Sequence, residues 1–289
     1  MSSSSSERKK VTILDLQAMK EQGRKITMLS IPDYPMALLA DRAGLDTILV
    51  GDSLGMTVLG YNTTVPVTIE EMLHHTKAVT RATKYAFVIG DMPFMSNNTS
   101  DRDAIVNAGR FMKEGAADAV KVEGGDTAAH IVRAIVNAGI PVMGHIGLTP
   151  QYMSLLGGYK AQGKDVKAAK RVINDALSVE EAGAFAIILE CVPDQISSIV
   201  SKSLHIPTIS YGAGASCDGQ GLVAHDILGI FDRFTPKFVK RYASLGKDIQ
   251  EAFKGYISDV LEGRFPLDEH SFHIKKEYLD QIIREKQER

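Results

Sequence analysis

The chain has 289 residues, of which 44% are hydrophobic and 24% charged, an ordinary composition for a globular protein. Its formal net charge of −2, without a long basic run, gives no electrostatic reason to expect nucleic acid or an anionic membrane as a partner. Two cysteines, Cys191 and Cys217, exclude a disulfide framework and predict free thiols in a reducing compartment, the cytoplasm. No apolar run is long enough to cross a bilayer.

Both ends of the chain are predicted to lie outside one large domain. The serine-rich residues 1–10 are expected to be a disordered tail, because they lack the apolar segment of a secretory signal. Residues 11–272 are predicted to form a single domain that begins with a helix over Val11–Gly23 at the bottom of the sheet. Residues 273–289 are predicted to form a charged tail with a solvated helix over Lys275–Arg289.

Short apolar runs recur along the chain, and each ends in a polar or glycine-containing turn that a helical pattern follows. Continuous apolar runs of this length are typical of strands that are buried on both faces of a parallel sheet. The predicted strands are Ile26–Leu29, Thr47–Val50, Phe87–Ile89, Ala119–Glu123, Pro141–His145, Ala186–Glu190 and Thr208–Tyr211, with a weaker eighth near Leu222–His225.

Helical patterns separate these strands. Thr68 and Glu71 have the spacing of a capping box at the start of one helix. The alternation implies an α/β fold with right-handed crossovers, and eight strands favour a closed (β/α)₈ TIM barrel. A doubly wound open sheet is the alternative, because the eighth strand is weak. The predicted helices are Thr68–Thr83, Ser100–Lys113, Asp126–Asn137, Asp165–Ala182, Pro193–Ser203 and Pro236–Leu261, the last broken near Gly246.

Ionisable residues stand at the carboxyl ends of five consecutive predicted strands, where barrels of this kind build their active sites. One such residue alone is explained by solvation of a strand end, but five in succession predict a functional site. Lys121 and Glu123 are two residues apart, so they are expected to point into the barrel mouth together. The five strand ends carry Asp52 with Ser53 beside it, Asp91, Glu123, His145 and Glu190.

Three of these carboxylates, on Asp52, Asp91 and Glu123, would repel one another unless a cation joined them. Mg²⁺ prefers oxygen ligands and takes few of them from protein, which leaves positions for water and substrate. A 2-oxo acid could chelate it through carboxylate and ketone oxygens, and the metal would stabilise the enolate as a Lewis acid. The sequence has no spacing of cysteine and histidine suited to a structural zinc site.

Three further positions concern catalysis or binding, and two of them have two interpretations each. Glu190 stands apart from the carboxylate cluster and is the candidate general base. His145 is either a hydrogen-bond donor that carries a second proton or a structural histidine. The glycines of Gly212–Gly214 either bind phosphate or form a tight turn, and the turn is favoured because no full nucleotide fingerprint is present.

The motifs that contain these residues resemble those of the ketopantoate hydroxymethyltransferase family. In chain order they are VGDSLGMTVLGYNTTVPVT, GDMPF, VKVEGG, GHIGLTPQ, LLGGYKAQG, LECVP and GAGASCDGQGLVAHD, with a closing HSF at His270–Phe272. The match extends from about Ile26 to Phe272, and so many ordered motifs make the resemblance specific.

The resemblance implies a barrel of the phosphoenolpyruvate/pyruvate type that assembles into homodecamers. It implies transfer of a hydroxymethyl group from 5,10-methylenetetrahydrofolate to 3-methyl-2-oxobutanoate, which gives 2-dehydropantoate in pantothenate biosynthesis. By motif it assigns Mg²⁺ to Asp52, Asp91 and Glu123, keto-acid contacts to Asp52, Ser53, Asp91 and Lys121, proton abstraction to Glu190, and the active-site histidine to His145.

The chain departs from the family pattern after its first strand. The family usually reads T-A-Y-D there, whereas this chain reads Ser30-Ile31-Pro32-Asp33, so that Pro32 stands where the family has an aromatic residue. This replacement concerns the packing around the substrate and leaves the metal chemistry unchanged.

Three other functions are compatible with the same strand-end residues. A Mg²⁺-dependent lyase or mutase of the same barrel type would act on another 2-oxo acid and would turn over without folate. A metal-independent aldolase would use Lys121 as a Schiff base. A non-catalytic scaffold would bind no keto acid, and it has no need of ionisable residues at five strand ends.

Overall fold

Eight parallel strands close into a barrel in the computed structural model, which describes residues 8–156, 158 and 161–288. Each strand pairs with the next along the chain, and β8 pairs with β1, so the doubly wound alternative is excluded. The strands are β1 (Ile26–Ser30), β2 (Thr47–Val50), β3 (Phe87–Asp91), β4 (Ala119–Glu123), β5 (Val142–Gly147), β6 (Ala186–Glu190), β7 (Thr208–Tyr211) and β8 (Gly219–Val223).

The helices lie before β1, between successive strands as far as β7, and after β8, and several of them begin at capping residues. Thr68 accepts from the backbone N–H of Glu71, and the Glu71 carboxylate accepts from the N–H of Thr68, which confirms the predicted capping box. The α-helices are α1 (Ile13–Glu21), α2 (Tyr34–Ala43), α3 (Leu54–Thr57), α4 (Ile69–Ala82), α5 (Asp101–Lys113), α6 (Ala129–Asn137), α7 (Met153–Leu156), α8 (Val166–Glu181), α9 (Asp194–Ser203), α10 (Ala224–Ile227), α11 (Leu245–Leu261) and α12 (Lys276–Gln287).

Successive side chains of each strand belong alternately to two buried clusters. Leu49 and Ile188 are in the cluster inside the barrel, whereas Val120 and Val122 pack with residues of the surrounding helices. The same alternation turns Lys121 and Glu123 inward, as the sequence predicted, and both line the cavity at the barrel mouth.

Helix α1 closes the amino-terminal end of the barrel. Its Leu16 and Met19 are buried in the inner cluster, and the N–H of Val11 donates to the carbonyl of Tyr85, just before β3. Lys20 forms an ion pair with Asp218 at 2.7 Å, just before β8. The predicted disordered tail lies partly outside the described residues, since 1–7 are not described; Lys10 donates to the carbonyl of Ala86 at 2.7 Å.

The chain divides into two compact units, the first ending at Tyr242 and the second beginning at Ala243. The second unit contains α11, a 3₁₀ turn at Asp268–His270 and α12, and no residue of either helix is buried. The predicted helix over Lys275–Arg289 is therefore present as α12, with residue 289 outside the description. The predicted domain boundary at residue 272 stays a prediction.

Two predicted elements need correction. The eighth strand is Gly219–Val223, earlier than the predicted Leu222–His225, because residues from Ala224 onward turn into the short helix α10. The helix predicted over Pro236–Leu261 begins only at Leu245, and the segment before it is irregular. None of the helices in the described ranges combines the length and the hydropathy that a membrane span requires.

Candidate active site at the barrel mouth

One cavity of about 390 Å³ opens at the carboxyl ends of the strands, and it brings together every site residue that the strand-end argument proposed. The charged residues among them are almost fully buried, apart from Glu190, whose side chain is 17% exposed. The predicted residues on its wall are Asp52, Ser53, Asp91, Lys121, Glu123, His145 and Glu190.

Three carboxylates converge on the β2–β4 side of this cavity. Asp52, Asp91 and Glu123 each offer an oxygen, and these oxygens lie within 4.8 Å of one another. A backbone contact fixes part of the cluster, since the N–H of Asp52 donates to Oδ2 of Asp91 at 2.9 Å. Oxygen ligands at this spacing, on rigid strand ends, suit a hard divalent cation.

The charge of the cluster also fits such a cation. Burial raises the pKa of Asp52 well above its usual value, and the charges of Asp91 and Glu123 raise it further. Lys121 is the cation among them, so three carboxylates and one ammonium leave two negative charges when all are ionised. A dication such as Mg²⁺ would neutralise this excess, whereas without one the cluster binds protons instead.

Lys121 is held at the centre of the cluster as an ammonium ion. Its Nζ lies 3.0 Å from Oδ1 of Asp91 and 2.9 Å from Oε1 of Glu123. Burial alone would lower the pKa of Lys121, but the neighbouring carboxylates outweigh burial and hold that pKa well above its usual value. An amine that stays protonated is a poor nucleophile, which argues against the Schiff-base aldolase.

His145 connects the carboxylate cluster to Glu190. Its Nε2 lies 3.1 Å from Oε2 of Glu190, and its Nδ1 lies 3.3 Å from Oε1 of Glu123 and 3.1 Å from Nζ of Lys121. Burial and the Lys121 charge lower the pKa of His145, but Glu123 and Glu190 outweigh them and raise it to about 9. The two contacts of Nδ1 suit both protonation states: the imidazolium donates to Glu123, and the neutral ring accepts from Lys121.

Gln151 is a site residue that the sequence argument missed. Its Nε2 donates to Oδ2 of Asp52 at 2.9 Å and to the carbonyl of Met92 at 3.0 Å, and its backbone N–H donates to Oε2 of Glu123 at 3.1 Å. It lies in a 3₁₀ turn after β5, in the motif GHIGLTPQ. Gln151 could have been found from that motif. It was missed because only ionisable residues at strand ends were selected as candidates, and Gln151 is an amide in a loop.

The opposite side of the mouth, formed by β7, β8 and β1, is different in character. The phenol of Tyr211 is buried in the cavity wall and its hydroxyl pairs with Oγ of Ser30 at 3.2 Å. Pro32, which stands where the family has an aromatic residue, is buried and does not line this cavity. Its carbonyl pairs with Nδ1 of His75 at 2.7 Å.

The Gly212–Gly214 segment after β7 has the geometry of a tight turn. Gly212 has a φ of +70°, and a Cβ at that position would lie 2.4 Å from the ring of Phe238. Phe238 and Phe231, from the irregular segment that follows α10, line the outer part of the cavity. The positive φ and the packed ring of Phe238 together explain why this residue is glycine. They support the interpretation of a tight turn and not that of a phosphate-binding loop.

Comparison of the sequence with a family profile and with individual proteins gives the same family in each case. The profile of the family described as ketopantoate hydroxymethyltransferase matches residues 10–268. The 3-methyl-2-oxobutanoate hydroxymethyltransferase of Carboxydothermus hydrogenoformans is 56% identical over 273 residues, 94% of this chain and 99% of the relative. The enzyme of the same name from Moorella thermoacetica is 57% identical over 266 residues, 92% of this chain and 99% of the relative.

Comparison with solved structures confirms the fold. A phosphonopyruvate hydrolase superposes with a TM-score of 0.58 at 13% identity, covering 96% of this chain and 97% of its own. A 2,3-dimethylmalate lyase, a member of the phosphoenolpyruvate mutase/isocitrate lyase superfamily, gives a TM-score of 0.58 at 15% identity, covering 91% and 89%. The predicted (β/α)₈ barrel is therefore confirmed.

Proposed function

This chain belongs to the ketopantoate hydroxymethyltransferase family, and from that premise we propose that it transfers a hydroxymethyl group from 5,10-methylenetetrahydrofolate to 3-methyl-2-oxobutanoate. The products are 2-dehydropantoate and tetrahydrofolate, and one water is consumed. The observation that carries the proposal is the buried convergence of Asp52, Asp91 and Glu123 beside Glu190 in one cavity. The proposed reaction is a step of pantothenate biosynthesis, and the cytoplasm is the proposed location.

The metal ligands in this proposal are Asp52, Asp91 and Glu123, and the metal is Mg²⁺. When bound, the ion supplies Lewis acidity to the ketone and carboxylate of the keto acid. Gln151 keeps Asp52 oriented through its side-chain amide and Glu123 through its backbone N–H, as outer contacts of metal ligands generally do. Lys121 and Ser53 contact the keto acid from the cavity wall.

Glu190 is the general base that takes the proton from C3 of the keto acid. Its carboxylate lies on the cavity wall, one strand away from His145, and remains partly open to the cavity. The proton then rests on Glu190, and Nε2 of His145 holds the carboxylate in place. Water hydrolyses both C–N bonds of the methylene group, which releases tetrahydrofolate and formaldehyde. The C3 carbanion then adds to the carbonyl carbon of formaldehyde, and the resulting alkoxide takes up the proton held by Glu190 and becomes the hydroxyl of the hydroxymethyl group.

The proposal is tested by incubating the purified protein with 3-methyl-2-oxobutanoate, methylenetetrahydrofolate and Mg²⁺. We expect 2-dehydropantoate, detected by mass spectrometry, and no product when folate is omitted. Consumption of the keto acid at the same rate without folate would instead support a lyase or mutase. Borohydride trapping in EDTA is expected to leave Lys121 unmodified, and a labelled Lys121 would support the aldolase.

A homodecamer is part of the same proposal. The support in this chain is that α11 carries large apolar side chains that its own compact unit leaves exposed, among them Phe253, Tyr256 and Leu261. Light scattering coupled to size-exclusion chromatography measures the assembly. We expect a mass near ten times that of the chain, and a monomer would contradict the assembly without affecting the chemistry.

A further inference from the structure

Tyr211 is an inward-facing residue of β7 that no step of the proposed reaction uses. Its Cα is the register partner of Glu190 on β6, so the aromatic ring lies at the same depth as the general base. Its side chain is only 6% exposed and lines the same cavity. The ring therefore stands next to the place where the reacting carbon of a substrate must lie.

The ring extends across β8 at a position where that strand has a glycine in place of a side chain. Gly221 is the β8 residue beneath the ring, and a Cβ there would lie 2.0 Å from Cε2 of Tyr211. Beyond Gly221 the phenol reaches Ser30 on β1, and the two hydroxyl oxygens lie 3.2 Å apart. The ring thus forms the part of the wall that lies over Gly221, while Ser30 of β1 and Val223 of β8 also line the cavity.

The position of the polar groups determines which part of a substrate meets this wall. A keto acid held by groups on β2–β4 presents its carboxylate and ketone to those strands. Its C3 must face Glu190 on β6. The substituents on C3 then extend toward the neighbouring β7–β1 side and the Tyr211 ring, which shares the inner cluster with Leu49 of β2 and Ile188 of β6.

We propose that Tyr211, seated over Gly221 and fixed by Ser30, sets the upper size of the C3 substituents that the cavity accepts. This inference rests on the proposed function for the placement of the keto acid. The hydroxyl of Tyr211 fixes the orientation of the ring by pairing with Ser30, because a buried phenol without a partner would cost free energy. The ring itself provides the steric limit. The ligand class is a branched 2-oxo acid with a hydrogen on C3 and two small alkyl groups.

The experiment compares 3-methyl-2-oxobutanoate with 3-methyl-2-oxopentanoate, which is larger by one methylene on C3. Exchange of the C3 hydrogen in D₂O with Mg²⁺ gives a rate for each acid without any folate. Tyr211→Ala is expected to raise the ratio of kcat/KM for the larger acid to that for the smaller by about tenfold or more, the size of a one-methylene discrimination. Tyr211→Phe keeps the ring and is expected to leave the ratio near the wild-type value.

Gly221→Ala provides the reverse test. The added Cβ pushes the ring into the cavity, so exchange of 3-methyl-2-oxobutanoate should fall more than that of 2-oxobutanoate, which has a single methyl on C3. Gly221→Ala combined with Tyr211→Ala removes the clash and should recover exchange. Thermal melting of each variant separates these effects from loss of the fold.

An unchanged ratio in a folded Tyr211→Ala variant would overturn the inference while leaving the proposed function intact. Failure of the proposed function is distinguishable, because the wild-type protein would then exchange none of the three acids and form no product with folate. Equal losses for large and small acids in folded Gly221→Ala would also contradict a steric limit at this position.

Discussion

The two sides of the barrel mouth differ in charge and in the size of their side chains. On β2–β4, Asp52, Asp91 and Glu123 surround Lys121 and are almost completely buried. On β6–β1, Glu190 lies on the cavity wall near the ring of Tyr211, which packs over the glycine-containing strand β8. In the proposed reaction, the first side holds the cation and binds the polar end that all 2-oxo acids share. In the same proposal, the second side takes the proton from C3 and limits the size of the groups attached to that carbon.

The largest expected effect comes from removing a carboxylate on the charged side. Asp91→Ala should abolish Mg²⁺-dependent binding of the keto acid, measured by calorimetry, because it takes away a metal ligand and the partner of Lys121. Mg²⁺ at about 100 times its Kd should stabilise the wild-type protein by about 2.7 kcal/mol and this variant much less. Asp280→Ala, an exposed position on α12, is the matched control. Unchanged affinity in Asp91→Ala would remove Asp91 from the metal site.

Glu190→Gln changes the other side and should separate binding from chemistry. The amide keeps the shape of the side chain but cannot take a proton, so kcat should fall by about 10²- to 10⁴-fold. Affinity for the keto acid with Mg²⁺ should stay within a few-fold of wild type, because the ligands on β2–β4 are untouched. Parallel rate and calorimetric measurements check both parts. Retained turnover would mean that the base lies elsewhere, with His145 the next candidate.

Gln151→Leu tests whether orientation of the charged side matters apart from its charge. The variant loses the side-chain hydrogen bonds to Asp52 and to the carbonyl of Met92 but keeps every ionisable group. Mg²⁺ affinity should fall by about 10- to 100-fold, as for other outer contacts of metal ligands. A Mg²⁺ titration followed by thermal melting measures this. An affinity equal to wild type would show that the carboxylates hold their geometry without the amide.

The smallest expected effect concerns Cys191, which lies beside Glu190 on the cavity wall. Burial and then the Glu190 charge raise the pKa of this thiol to about 12. At pH 8 only about one thiol in ten thousand would be ionised, so alkylation by iodoacetamide should be slow and activity should persist. Labelling of both cysteines in denaturant is the control. Rapid modification of Cys191 in the native protein would mean that the β6–β1 side is more polar than described.

Much of the charged side could be predicted from the sequence because strand geometry is regular. An apolar run followed by Asp52, Asp91 or Glu123 fixes both the end of the strand and the face of the side chain. The two-residue spacing of Lys121 and Glu123 placed both in the cavity for the same reason. The closure of the barrel followed from the count of such runs, although the eighth was weak.

The β6–β1 side was harder to predict because its structure depends on glycines, which add nothing to an apolar pattern. Strand β8 has glycine at 219 and 221, where Ile209 and Tyr211 from β7 fill the space, so the strand lacked an apolar pattern and was placed too late. The segment before α11 was predicted as helix, yet Phe238 packs over Gly212 instead of along a helical face. Such contacts between distant residues leave no local periodicity to detect.

The most direct test of the account is proton NMR of 3-methyl-2-oxobutanoate in D₂O with the wild-type protein, first with Mg²⁺ and then with EDTA, before any folate is added. The C3 proton signal is expected to disappear with Mg²⁺ and to persist with EDTA, because the charged side must hold the keto acid before Glu190 can take the proton. Equal exchange in EDTA would contradict the role of the carboxylate cluster as a metal site.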